Sequence, residues 1–320
     1  MPLKDQPIIN ESSVLKFLLL EFSDVREHQI LHFIVFLIFY LLAAAGNLLI
    51  IAAVAYDHHL HTPMYFFLIN LAIQDVGQVS VIIPKSMTNS LMNIKSISYS
   101  GCVSQVLFYI FFVTSDFFLL TVMAYDRYVA ICNPLRYEMV MNRHACFRMV
   151  IAVWICSVCY AILHTSGTFG LQFCSNVVKQ FFCEIPQLLK LTCSDLYSFE
   201  IGVIYSAIII VSGCTVFIFV SYVYIFTVVL RIPSAQGRQR VFSTCLPHIV
   251  VFSIFAITGI FSYLRATFDS QSSFDLALTM IYSMVPPLMN PMIYAIRNKN
   301  IRNALFKLLF LRYCSVQMSE

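Results

Sequence analysis

Long apolar stretches alternate along this chain with short polar turns. Within the stretches apolar residues run almost unbroken, with neither the period of two that a half-exposed strand would show nor one polar face. A helix needs about 20 mainly apolar residues to cross a bilayer. Backbone groups in lipid must be paired internally, so spans are helices or closed barrels. Barrel strands are short and alternate apolar with polar, which these runs do not. The pattern therefore predicts an all-α membrane protein, a seven-helix bundle with spans at 27–56, 63–91, 101–132, 144–167, 200–231, 240–264 and 274–296.

Two segments flank the bundle. Residues 1–26 are polar apart from "FLLL", which is too short to cross a membrane and has no small-residue cleavage site after it. No cleavable leader is expected, and the first span serves as the insertion signal. Residues 297–320 contain "RNKNIRNALFKLLFLRY", in which Ile301, Leu305, Leu308 and Leu309 share one helical face and Arg302 and Lys307 lie largely elsewhere. This is an amphipathic helix lying on the membrane surface. Cys314 beside it reads as a free thiol or as a palmitoylation site.

Composition agrees. The chain of 320 residues is 59% hydrophobic and 11% charged, with mean hydropathy +0.80, where soluble domains carry roughly 25% charged residues. Most of the 20 Lys and Arg fall on the side that holds the C-terminus, including the loops "NPLRYEMVMNR" and "RIPSAQGRQR". By the positive-inside rule that side is cytoplasmic and the N-terminus is extracellular, as expected of a multi-pass plasma-membrane protein. Asn10 opens a glycosylation sequon on the outer side. Cys102, Cys174, Cys183 and Cys193 also map there, where disulfides persist. Four cysteines allow three pairings, and spacing does not choose among them.

Polar groups inside the spans are costly and tend to be functional. Asn47, Asp75 and Asp116 are three of them. Asp116 lies about 15 Å up the third helix from Asp126 at 1.5 Å per residue. Two readings stay open: a sodium-type ion held among Asn47, Asp75 and Asp116, or two separate hydrogen-bonded acids facing a wet crevice. The seventh span carries Pro286, Pro287 and Pro291. Each removes a backbone donor, and Asn290 is expected to bond a freed carbonyl. Such a helix is a moving part or a fixed kink.

The third span ends in "LLTVMAYDRYVAICNPLRY". Asp126 and Arg127 point about 100° apart, so Arg127 can face the bundle while Asp126 partly neutralises it. The pair reads as a switch or as an interface anchor. No phosphate loop, zinc pattern or nucleophile elbow is visible, so the chain is not expected to be an enzyme, and nothing in it suggests nucleic-acid binding.

"MAYDRYVAICNPLRY" closely resembles the third-helix signature of the olfactory receptors, a family of rhodopsin-like G-protein-coupled receptors, and its details resemble that family's tetrapod (class II) branch. "GN" at 46–47, "HTPMYFFLINLAIQD", "KSISYSGC", "RQRVFSTCLPH" and "PPLMNPMIYAIRNKNIRNAL" resemble the family's other motifs in order, and the resemblance spans residues 17–312. The sequence departs from the usual pattern at Glu21, Pro247, Pro286 and Phe255-Ala256-Ile257, where the family commonly has Phe-Tyr-Gly.

The resemblance implies disulfides Cys102–Cys183 and Cys174–Cys193, holding the long outer loop as a lid. It places a ligand site in the outer halves of four helices. Helical spacing nominates Tyr109, Ile110, Val113 and Thr114 on the third; Ser206, Ala207 and Ile210 on the fifth; Gly259, Ile260 and Tyr263 on the sixth; and Thr279, Met280 and Ser283 on the seventh. The set has hydroxyls and no fixed charge, which suits a small, neutral, volatile odorant. The resemblance further implies a cytoplasmic switch of Asp126, Arg127, Tyr128, Tyr222, Arg238, Arg240, Asn290, Pro291 and Tyr294. Its partners would be a stimulatory olfactory-type G protein that raises cyclic AMP, trafficking chaperones and membrane lipid. The alternatives are a non-olfactory rhodopsin-like receptor for a small lipid or metabolite, a non-signalling decoy, and a channel or transporter.

Overall fold

The computed structural model describes residues 15–19, 25–193, 197–266 and 273–317, with the side chains of 197–201, Val203, Ile204, Ala207, Arg240, Thr258, Ile260, Arg297 and of 261–278 and 309–317 outside that description. Among the described residues, seven helices of 25 to 34 residues follow one another: Arg26–Tyr56, Pro63–Met92, Tyr99–Cys132, Arg143–Phe169, Tyr197–Leu230, Ala235–Ala266 and Ser273–Arg297. They are called the first to seventh helices below. Each predicted span coincides with one of them, the ends differing by a few residues. Six are long and apolar enough to cross a membrane. The seventh, interrupted by its prolines, packs against the first, second and sixth.

The helix ends follow from local chemistry. Pro63 opens the second helix, where its missing N–H costs nothing, and Asn93 closes it in the left-handed conformation at φ 52°. Ser98 Oγ accepts the Gly101 amide at 3.1 Å to cap the third helix. Asn142 Oδ1 accepts the Ala145 amide at 2.9 Å to cap the fourth. An eighth helix, Lys299–Gln317, follows the seventh. Its Ile301 and Ala304 are buried in the cytoplasmic-half core, with Leu305 packed beside them, as the amphipathic pattern predicts. Lys307 projects instead to Asp57 in the first cytoplasmic turn, Nζ to Oδ2 3.3 Å. The predicted Leu309 falls outside the described side chains, and so does Cys314.

Two features exceed the sequence reading, the first of them on the outer face. The "FLLL" patch is not an idle tail: Lys16–Leu19 forms a strand, β1. It runs antiparallel to β2 (Ser96–Ser98) and parallel to β3 (Val177–Val178), in the order β2-β1-β3. Alternation along β1 sends Phe17 inward, fully buried and stacked on Tyr99 at 6.0 Å, with the edge of Phe173 at 5.3 Å. The Asn10 sequon lies outside the described residues.

The second is the set of carbonyls that the prolines free. Proline at position i cannot donate to the carbonyl at i−4, so Pro287 strands the Ser283 carbonyl and Pro291 strands the Pro287 carbonyl. Gln78 of the second helix donates Nε2 to Ser283 O at 2.9 Å. Asn47 of the first helix donates Nδ2 to Pro287 O at 2.9 Å. Asn290, expected to serve a freed carbonyl itself, turns instead to Asp75 and gives Nδ2 to both carboxylate oxygens at 3.1 and 2.9 Å. Asp75 offers Asn290 two acceptor oxygens, and helices one and two supply the donors for the freed carbonyls.

These ties demand close approach. A Cβ on Gly46 would stand 2.9 Å from Pro291 Cγ and 3.1 Å from its Cβ. Gly46→Val is expected to destabilise the bundle by about 1–3 kcal/mol, the usual cost of overpacking, whereas Gly213→Ala, with nothing within 4 Å of the new methyl, should be nearly neutral. Thermal unfolding of the two purified variants in detergent checks both.

Candidate functional site

The outer half of the bundle is closed by the loop between the fourth and fifth helices. Both expected disulfides are present: Cys102–Cys183 with Cα atoms 5.6 Å apart and Cys174–Cys193 with Cα atoms 5.5 Å apart. The first pins the loop to the third helix, and the residues before Cys183 then descend among the helices. Phe182 is fully buried, edge-on to Tyr109 with centroids 5.4 Å apart. Phe181 lies 5.6 Å from Phe36 of the first helix, and its carbonyl accepts from Ser86 Oγ of the second at 3.3 Å. The Cys183 amide donates to Gln105 Oε1 at 2.9 Å. Gln180 Nε2 donates to Thr279 Oγ1 at 2.9 Å. Tyr282 OH donates to the Glu184 carboxylate. Five consecutive residues thus reach helices one, two, three and seven.

This plug decides which nominated ligand residues come together. Tyr109, Ile110, Val113 and Met280 join one apolar cluster around Phe181 and Phe182. Thr279 is bonded to the loop, and Ser283 Oγ is turned back to Thr279 O at 2.7 Å. Thr114 is half-buried. Ser206 and Ile210 of the fifth helix are exposed and take no part in that cluster. Gly259 has open space where a side chain would be. The side chains of Ala207, Ile260 and Tyr263 lie outside the described residues. The loop residues were missed: in "KQFFCEIP" two adjacent phenylalanines before a disulfide cysteine, in a polar loop, are the signal that they turn inward.

At mid-membrane Asp75 is held by Asn290 as above. Asp116 lies within electrostatic range of it. Asp116 Oδ1 and Asn290 Oδ1 are buried and find no partner among the described residues. Two carboxylates with neutral oxygens beside them fit a monovalent cation. Among the described residues no group of three or more His, Cys, Asp or Glu converges to hold a metal ion.

At the cytoplasmic end Arg127 donates Nε to Asp126 Oδ2 at 2.9 Å and pairs with the same oxygen through its NH2 group. Tyr137 OH, from the loop below, donates to the other oxygen at 2.8 Å. Burial, with the Asp126 carboxylate beside it, holds the Tyr137 phenol above its ordinary value, so it stays a donor. Asp126 is fully buried and answered on both oxygens.

Two helical turns above, His248 Nε2 meets Leu120 O at 2.8 Å. A carbonyl only accepts, so Nε2 carries the proton and Nδ1 accepts from Tyr222 OH at 2.8 Å. Helices three, five and six are joined at this point, and His248 was not singled out from the sequence. Tyr128 lies edge-on to Tyr224 at 6.2 Å. Arg238 donates to Ile232 O at 3.0 Å. Tyr294 is buried in the cytoplasmic-half core, with its hydroxyl unpaired among the described residues. Pro291 packs on Gly46. The Arg240 side chain lies outside the described residues.

Comparison with known proteins places this architecture. The family profile described as "Olfactory receptor" matches residues 36–312. The chain is 46% identical to human "Olfactory receptor 14C36" over 94% of its length and 96% of the relative's. It is 45% identical to human "Olfactory receptor 14I1" over 93% and 96%. Among solved structures, that titled "Crystal structure of squid rhodopsin" superposes with a TM-score of 0.71 at 20% identity, over 91% of this chain and 88% of that one. This likeness shows the fold.

One ionisable group of the lid generates a pH prediction. Burial pushes the Glu184 carboxyl up to about 7 from a reference of 4.5, while the Tyr282 hydroxyl and the Lys190 charge pull the other way. The folded state therefore favours protonated Glu184. Its stabilisation is complete below about 4.5 and is lost as pH rises through about 7. Melting of the purified protein in nanodiscs should shift to lower temperature across that window, and Glu184→Gln should flatten the dependence.

Proposed function

The chain belongs to the olfactory receptor family, and on that premise we propose that it is an odorant receptor for small, neutral, volatile molecules, acting through a stimulatory olfactory-type G protein to raise cyclic AMP. At the coarser level it is a rhodopsin-like G-protein-coupled receptor of the plasma membrane, N-terminus outside and C-terminus inside, and not an enzyme. The observation that supports the finer reading is an apolar cluster of helix and loop residues above the paired Asp126 and Arg127. Tyr109, Ile110, Val113 and Met280 meet without a fixed charge among them, and no acid stands in the outer half of the third helix to hold an amine.

Mechanism follows from differential binding. An odorant that favours the arrangement with the sixth helix swung out shifts the population by no more than that preference. The bond from His248 to Leu120 O and Tyr222 is what the sixth helix leaves when it moves. Arg127 then exchanges Asp126 for the incoming G-protein helix, with Arg238 and Arg240 at the rim. Asp75 and Asp116 would hold a sodium ion that neutralises two buried acids and favours the resting bundle, whereas Asn47, expected beside them, is engaged by the Ala43 and Pro287 carbonyls. Trafficking chaperones and annular lipid complete the proposed partners.

Cyclic AMP in cells expressing the chain with trafficking helpers, across a diverse odorant panel, tests this reading. A ligand-dependent rise that is abolished in Arg127→Ala at equal surface level is expected. Silence of the wild-type chain at normal surface level would overturn it.

A further inference from the structure

Three glutamines are buried where the loop plug meets the helices, and they differ in one respect. Gln105 is answered at both ends: its Nε2 donates to Val81 O at 3.1 Å and its Oε1 accepts the Cys183 amide at 2.9 Å. Gln78 and Gln180 are answered only at the nitrogen. Gln78 is 1% exposed and Gln180 2% exposed, and the Oε1 of each has no partner among the described residues. The orientation of Gln78 is set by chemistry, because the Ser283 carbonyl it meets accepts only a donor. For Gln180 the partner is the Thr279 hydroxyl, so either orientation leaves one polar end of the amide unanswered.

The two amides share a place. Thr279 and Ser283 are one turn apart on the seventh helix, roughly 6 Å, and are joined by the Ser283 Oγ bond to Thr279 O at 2.7 Å. Gln180 comes to the upper of the two from the loop and Gln78 to the lower from the second helix. Around them the surface is apolar and aromatic, with Tyr109, Phe182, Val113 and Met280 in one cluster. A buried acceptor without a donor carries its full desolvation cost. The unanswered Gln78 oxygen and the unanswered end of the Gln180 amide, set beside one helix turn in an apolar surround, describe a receptor site for a group that both donates and accepts.

We propose that Gln78 and Gln180 form a hydroxyl-recognition subsite against the seventh helix, so that this receptor prefers alcohols and phenols over ethers of the same skeleton. This rests on the small-molecule receptor reading above and names the ligand class that reading leaves open. A hydroxyl donates to the Gln78 amide oxygen and presents its own oxygen to the Thr279 hydroxyl or to the Gln180 amide nitrogen, the Ser283 proton being held by Thr279 O. A methyl ether has nothing to donate and leaves the Gln78 oxygen stranded. Discrimination of this kind comes from the site's own unpaired groups as much as from the ligand.

The test uses the purified full chain in nanodiscs, with 2-phenylethanol, 1-octanol and their methyl ethers as probes and thermal stabilisation as the readout. Each alcohol is expected to stabilise at roughly tenfold lower concentration than its ether, the equivalent of one neutral hydrogen bond. Gln180→Met is expected to shrink that ratio to within about threefold. Gln78→Met should do the same. That variant also strands the Ser283 carbonyl and lowers the starting Tm, but the alcohol-to-ether ratio within a variant does not depend on its starting stability. Equal stabilisation by alcohol and ether in the wild type, no stabilisation by either, or a ratio that survives both substitutions overturns the subsite. Cyclic AMP in cells is read separately. Stabilisation by alcohols without any signalling response would leave the subsite standing and remove the signalling reading.

Discussion

The seventh helix cannot satisfy its own backbone, and the rest of the bundle is arranged around that fact. Hydrocarbon offers no water to a stranded carbonyl, so the groups freed by Pro287 and Pro291 need donors from other helices. Gln78 and Asn47 provide them. Asn290 is thereby released to hold Asp75, and Gly46 allows the backbone approach that Asn47 requires. Helices one, two and seven form a tied unit through side-chain amides, where apolar contact alone would discriminate little between protein and lipid.

The other side of the molecule is joined more lightly. Helices three, five and six meet at His248, Tyr222 and the Leu120 carbonyl, bonds between neutral groups. Below them Asp126 holds Arg127 and accepts from Tyr137. A closed arrangement of neutral bonds over one ion pair is suited to two states, because opening exchanges partners and need not strand a charge. From above, the Gln180–Glu184 plug contacts the tied unit and the third helix together. Whatever binds beside the plug therefore acts at the border between the fixed and the moving helices.

Much of this was legible in the residues. Apolar run length determines the spans, and the bilayer leaves no competing use for a run of that length, so the boundaries agree to within a few residues. The cysteine pairs followed from resemblance, since spacing left three pairings open. The strand at Lys16–Leu19 was illegible for a physical reason: four residues carry little periodicity, and their partners lie about 80 and 160 residues away. Gln78 and His248 were missed because a polar residue inside a span does not reveal which neighbour it faces, and Gln180 because a polar residue in a polar loop gives no sign that it is buried. Asn290 was assigned to a freed carbonyl because Asp75, far off in the sequence, could not be placed beside it. The exposure of Ser206 and Ile210 has the same origin: helical spacing gives a face but not what that face meets.

On the proposed reading the receptor rests with Arg127 held by Asp126, and releasing it is what signals. Ligand-independent cyclic AMP in cells expressing Asp126→Asn, at surface levels matched to the wild type, tests this most directly. The asparagine keeps the shape and an acceptor for Tyr137 but removes the charge that holds the guanidinium. A several-fold rise in basal cyclic AMP is the expected result. Basal signalling that is unchanged or lower, with the variant folded and at the surface, would contradict the claim.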